Sequence, residues 1–472
     1  MLEVEKGANF LNNALAVRSS WRSISLILVI ALVLGMIFLM VNVLPTRAAG
    51  IVDPSIKETL YFNGHPIYYI QSSVTPPTDA QCRIKLKSPC YSPQEIQKAY
   101  GVKPILDAGY TGEGQSIVII DSFGSPTIRK DLKVFDKAFG LPEPPSFKVL
   151  APFGSVPFDV NNSDQAGWAE ETTLDVEWAH ALAPDAKIVL LTSPVAETEG
   201  VQGLPEFLRL EKYAVDNHLG KIISQSWGAT EETLFSAAGR KVVKQFNDFY
   251  KEAGDEGVSI FASAGDSGAS NVDDNNKTYP FPTVIFPASS PYVTAVGGTS
   301  LFADTHGNYN HETVWDNKIG ATGGGISKLF KEPKYQRDNL SDSANSTLKK
   351  HRGIPDISLN ADPDTGVLVY LSFLGPKQAG YFLFGGTSAG SPQWSGLIAD
   401  GNQLAGHALG FLNPTLYALG NDREYGNAFH DITVGNNTFG GVTGYDATQG
   451  WDLSTGWGTP KGEQLLHDLA SD

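Results

Sequence analysis

Short apolar runs recur along the chain, with polar, helix-forming stretches between them. SIVIID (116–121), AKIVLLT (186–192), KIISQSW (221–227), VSIFASAG (258–265) and YVTAVGG (292–298) are nearly continuous in apolar residues rather than alternating. A strand covered on both faces reads this way, which predicts a parallel sheet. Between two of these runs, Val242, Val243, Phe246, Phe249, Tyr250 and Ala253 recur at helical spacing and predict an amphipathic helix. Gly254, Asp255, Glu256 and Gly257 end it, and the next strand begins at Val258. Strand and helix in alternation predict an α/β domain with a doubly wound, mostly parallel sheet flanked by helices. Ligands of such sheets bind outside the carboxyl ends of the strands. The acids and serines at the ends of these runs are therefore the candidates for chemistry.

The N-terminal part has a different pattern. From Ile24 to Leu44 only Ser25, Gly35 and Asn42 interrupt an apolar run, and Arg18 and Arg22 precede it. The run is long enough to cross a bilayer and longer than the apolar part of most signal peptides, while TRAAG at 46–50 has the small residues of a cleavage site. A cleaved signal and a retained anchor both place the rest of the chain outside the cytoplasm, secreted or held at the membrane by this segment alone. The expected organisation is a signal or anchor at 1–49, an extended, turn-rich segment at 50–90, and one large domain at 91–472. With 35 basic and 51 acidic residues the net charge is -16. That excludes a nucleic-acid partner, whose phosphates would be repelled, and it suits an acidic medium in which carboxylates lose their charge. Cys82 and Cys90 are too few for a structural zinc site and are expected to form one disulfide in an exported chain.

Three stretches carry candidate chemistry. FGGTSAGSPQWSG (384–396) comes after the strand-like YFLF and leads into a helix that tolerates Pro392 in its first turn. Ser388 then lies at a helix N-terminus. It is either a cap or a nucleophile placed where negative charge is stabilised. In AEETTLDVEWAHALAP (169–184), Glu171 and Asp175 stand four apart and share one face of a helix. They are either part of a solvated acidic face or a carboxyl pair that cannot ionise twice and can take a serine proton in acid. Asp266, in SAGDSGASN (263–271), stands just past a strand end. It is either a turn aspartate or a protonated carboxyl that donates to a forming oxyanion. None of the nine histidines stands in a His-Gly-Thr-His run, and His180 reads as a packing residue.

Taken together, ETTLDVE, SQSWG, SAGDSGA, AVGGTSL, ETVWD, ATGGGISKLFKEPKYQ, RGIPDISLNADPDTG, GGTSAGSPQWSG and GWDLSTGWGTP resemble the sedolisins, the serine-carboxyl peptidases with a subtilisin-like fold, over residues 91–472. The resemblance implies an acid-active endopeptidase that hydrolyses protein or peptide substrates through an acyl-enzyme on Ser388. Glu171 would be its general base, oriented by Asp175, and Asp266 would serve the oxyanion hole with the Ser388 backbone N–H. It also implies that Asp121 backs the carboxyl pair, that Trp227 hydrogen-bonds within this network, and that Ser226 lies on the substrate-binding strand. One structural calcium ion would be held by the side chains of Asp431 and Asp452 and the carbonyls of Ile432, Thr448 and Gly450. A monomer is expected. Residues 45–91 are too few for the large prodomain of the family, which puts self-cleaving activation in question. A histidine-dependent protease using His180 and an inactive binding protein of the same fold are the alternatives.

Overall fold

The computed structural model describes residues 73–471 in full, together with the backbone of strands β1 (Glu58–Phe62) and β2 (His65–Gln71). The apolar stretch 24–44 and TRAAG lie outside the described residues. Among the described residues no helix is long and apolar enough to cross a membrane.

The apolar runs form the strands of one large sheet. It comprises β3 (Ser116–Ser122), β4 (Phe147–Leu150), β5 (Lys187–Ser193), β6 (Ile222–Gln225), β7 (Ser259–Ser263), β8 (Thr294–Ala303) and β9 (Tyr309–Val314), in the order β9-β8-β7-β6-β3-β5-β4, with β10 (Ile357–Asn360) also beside β8. Every pairing is parallel except that of β8 with β9. Five helices matter for the site: α1 (Ile128–Phe139), α2 (Ser163–Leu182), α3 (Leu204–Asp216), α4 (Ala237–Asp255) and α5 (Gly390–Ala405). Successive side chains of a strand point to opposite faces, so β3 contributes to two cores. Ile117 and Ile119 pack with residues of α2 and α5. Val118 and Ile120 pack with residues of α3 and α4. All six apolar residues predicted to share a face of α4 are buried.

A second sheet, β1-β2-β12-β11, contains β11 (Val367–Leu371) and β12 (Gly380–Phe384). It lies against α2: the indole of Trp178 donates to the Leu368 carbonyl at 3.0 Å, and Glu177 accepts from the Tyr370 N–H at 3.0 Å. Helix α2 is therefore covered on several sides, and Glu170, Asp175 and Glu177 are buried rather than solvated.

The segment expected to be extended contains more structure than that. β1 and β2 form an antiparallel hairpin, and a helix spans Asp79–Lys85 behind a capping box of Thr78 and Gln81. The Cys82–Cys90 disulfide forms, with Cα atoms 5.9 Å apart. The Cys90 N–H donates to Asp79 at 3.0 Å, fixing the loop to the helix start.

Candidate active site

The chain runs from β3 outward to β4 and β5 on one side, then returns to β6, β7 and β8 on the other. This reversal beside β3 opens a crevice at the carboxyl ends of the strands. Asp121 lies at the end of β3, Ser226 just past β6 and Asp266 just past β7. Ser226, Asp266, Glu171 and Ser388 line one cavity of about 520 Å³.

Ser388 is brought there by backbone geometry. β12 ends at Phe384, Gly386 takes a left-handed φ of 89°, and a single tight turn, Thr387–Ala389, leads into α5. Only glycine suits position 386: a Cβ there would meet Asp266 Oδ2 at 2.6 Å. Ser388 thus sits at the amino end of a sixteen-residue helix, where free N–H groups favour negative charge. It is 6% exposed.

Behind it stand buried carboxyls. Ser226 Oγ donates to Asp175 Oδ1 at 3.0 Å and lies 3.4 Å from the Ser388 carbonyl, linking α2 to the serine turn. Asp175 is held well above the usual carboxylate range, first by burial and then by the charges of Asp121 and Glu171. Asp121 is raised by burial and by Glu171. Asp121, Glu171 and Asp175 thus form one electrostatic group, and carboxyls packed this closely hold protons that isolated ones release. Glu171 lines the cavity with Ser388 and Asp266, and Asp175 and Asp121 stand next to Glu171 outside the cavity lining.

Thr387 carries no signal in the sequence beyond its place beside Ser388. Its N–H and Oγ1 donate to Asp266 Oδ1 at 2.8 and 2.9 Å, and its Oγ1 accepts from the Gly265 N–H at 3.0 Å. Two expectations are corrected. Trp227 makes no hydrogen bond in the carboxyl network: its Nε1 is buried without a partner, and its ring packs between Phe207 and Phe246 at 4.5 and 6.1 Å. The indole packs against these rings, and although it also lines the cavity its Nε1 meets no acceptor at hydrogen-bonding geometry. His180 is no base for Ser388. It is fully buried on α2 against α1, with Nε2 2.8 Å from the Pro142 carbonyl and 3.3 Å from Asp136, and among the described residues no histidine lines the cavity.

At the other candidate centre, the loop 448–452 is bonded to both Asp431 and Asp452. The Gly450 N–H donates to Asp431 at 3.1 Å and the Thr448 N–H to Asp452 at 3.0 Å. The Tyr425 hydroxyl donates to Asp431 at 3.2 Å. Among the described residues no three or more His, Cys, Asp or Glu side chains gather as a metal group.

The subtilase family profile (Peptidase_S8) matches residues 161–414, a little over half of the chain. The chain is 36% identical to kumamolisin from Bacillus sp. (strain MN-32) over 387 residues, covering 80% of this chain and 63% of kumamolisin. It is 31% identical to sedolisin from Pseudomonas sp. (strain 101) over 379 residues, covering 78% and 59%. It thus spans less than two thirds of the length of either relative. The solved structure of Pseudomonas sedolisin complexed with two molecules of pseudo-iodotyrostatin matches with a TM-score of 0.67 at 29% identity, over 82% of this chain and 99% of that one. The chain therefore belongs to the subtilase family and has the subtilisin-like fold of its sedolisin relatives.

Proposed function

We propose that the protein is an exported, acid-active serine-carboxyl endopeptidase that hydrolyses protein or peptide substrates through an acyl-enzyme on Ser388. The observation that carries this reading is the opening of a helix-start serine and Glu171, backed by the buried Asp175, into one cavity that, among the described residues, no histidine lines. Imidazole is charged in acid and cannot serve as a base there, whereas a carboxyl group can.

Glu171 takes the Ser388 hydroxyl proton as Oγ attacks the carbonyl carbon, and returns it to the leaving amine as the peptide bond breaks. Water then attacks the ester, Glu171 takes a proton from it, and Ser388 regains its hydroxyl. Asp175, held in place by Ser226, and Asp121 behind it keep the group's proton close to Glu171. The oxyanion receives the Ser388 backbone N–H and a proton-bearing Asp266. Because Asp266 Oδ1 already accepts two hydrogen bonds from Thr387, the proton belongs on Oδ2. Ser226 stands past the end of β6 on the cavity wall and suits a substrate strand, although its hydroxyl is engaged with Asp175.

The residues at 431–452 fit calcium. Two carboxylates tied to one loop offer only oxygen donors with the backbone carbonyls, the set a hard cation takes. Asp431, Asp452 and the carbonyls of Ile432, Thr448 and Gly450 would hold it. Threonine at 448 is accommodated because the left-handed φ in this loop falls on Gly450. Bound there, the ion would pin these loops. Work outside the cytoplasm is supported by the Cys82–Cys90 bond.

Ser388→Ala is expected to lower kcat for peptide hydrolysis by about a thousandfold or more. Undiminished turnover in that variant defeats the reading.

A further inference from the structure

The cavity around Ser388 holds more carboxyl groups than the reaction uses. Asp164, Glu170, Glu197 and Glu199 line it besides Glu171 and Asp266, and among the described residues no lysine, arginine or histidine does. Two of the four lack any partner on one oxygen. Glu170 is 3% exposed, and its Oε1 is buried with no hydrogen bond. Glu197 Oε1 is likewise buried and unpartnered. Glu199 fixes the Glu197 loop by accepting from the Thr230 N–H and Oγ1 at 2.7 and 2.9 Å. Burial raises Glu170 and Glu197 well above the usual range, and each has a second carboxyl beside it, Glu171 and Glu199 respectively.

A buried carboxyl without a donor or counter-charge is costly. The described residues supply neither to these two oxygens, and both side chains line the cavity. Trp168 and Trp227 line the same space, joined through Phe207 by ring contacts of 6.2 and 4.5 Å. Indole faces attract cations and accept the apolar stems of long basic side chains.

We propose that the cavity selects peptides carrying lysine or arginine near the scissile bond, with Glu170 and Glu197 as the carboxylates that receive the cationic heads. This rests on the peptidase reading for the identity of the ligand, but the two can fail separately. The test uses the full chain with Ser388→Ala and a set of octapeptides in which one lysine is walked through the positions around a cleavable bond. Each peptide is also made with Nε-acetyl-lysine. Binding is titrated at about pH 6, where an ammonium keeps its proton and a carboxylate beside it can ionise. At one or more positions lysine is expected to bind about tenfold more tightly than acetyl-lysine, the worth of a charge-assisted hydrogen bond. Glu170→Gln or Glu197→Gln should bring that ratio towards one. A ratio near one at every position overturns the proposal. The lysine and acetyl-lysine comparison needs no substitution in the subsite, so it decides the matter even if a glutamine variant misfolds. Where binding is too weak to titrate, the same ratio is read from kcat/KM of the unsubstituted protein. Cation preference in binding without hydrolysis of any peptide defeats the peptidase reading alone. Hydrolysis without preference defeats the subsite alone, and neither binding nor hydrolysis defeats both.

Discussion

Thr387 holds Asp266, the proposed oxyanion donor, with one small side chain. Together its N–H and hydroxyl give two hydrogen bonds to Asp266 Oδ1, and the hydroxyl takes one from the Gly265 N–H, which leaves Oδ2 for the role proposed for it. Thr387→Val keeps the shape and removes both side-chain bonds. We expect kcat to fall by roughly ten- to a hundredfold with a much smaller change in KM, because the lost orientation matters most when charge develops on the oxygen. Steady-state kinetics on one peptide checks this, and an unchanged kcat would separate Thr387 from catalysis. Ser388, Glu171, Asp175 and Asp266 are legible in the sequence as candidates because each stands at a strand end, a helix start or a helical spacing of four, while their roles come only from the family resemblance. The contacts of Thr387 and Trp227 are not, because what they touch is set by residues distant in the chain. Asp266 is 121 positions from Thr387, and Phe207 and Phe246 enclose Trp227 from two separate helices.

At the scale of elements, the strands are legible to within a few residues, since continuous apolar runs have few other uses in a soluble domain. The burial of α2 is not. Its sequence mixes acids with apolar residues on all sides, and only distant segments explain the burial: the second sheet encloses Glu177 through Tyr370, and Ser226 past the end of β6 covers Asp175. The segment before residue 91 reads as extended because its turn-rich stretches VTPPTDAQ and LKSPCYSP carry loop signals. Its helix depends on a capping box and a disulfide that closes a short loop. For a loop of this length, replacing both cysteines with serine should cost about 2–3 kcal/mol by the chain-entropy account. Denaturant unfolding measures it. A loss below ~0.5 kcal/mol would show that the capping box and the Cys90–Asp79 hydrogen bond suffice.

Among the described residues, many buried carboxyls are raised. Asp121, Asp175, Glu177, Glu211 and Asp400 are all raised, with burial the leading cause in each. A group raised in the folded state binds its proton more tightly there than in the unfolded chain. Stability is therefore greatest while both states are protonated and falls as pH rises through the unfolded value of about 4 towards the folded one. His430, lowered to about 4 by burial, pulls the other way, but it is a single group. We expect the melting temperature to drop by several degrees between about pH 4 and pH 7. Calorimetry showing a steady rise over that range would contradict this. The same tuning bears on the proposed catalysis, which calls for a carboxyl group behind Ser388 and a proton on Asp266. The most direct measurement is kcat/KM against pH for the unsubstituted protein on a mixed peptide library, with cleavage positions read by mass spectrometry. If a carboxyl group activates Ser388, the rate is highest in acid and falls as neutrality approaches. A maximum near about pH 8, where an imidazole base would serve, would contradict it.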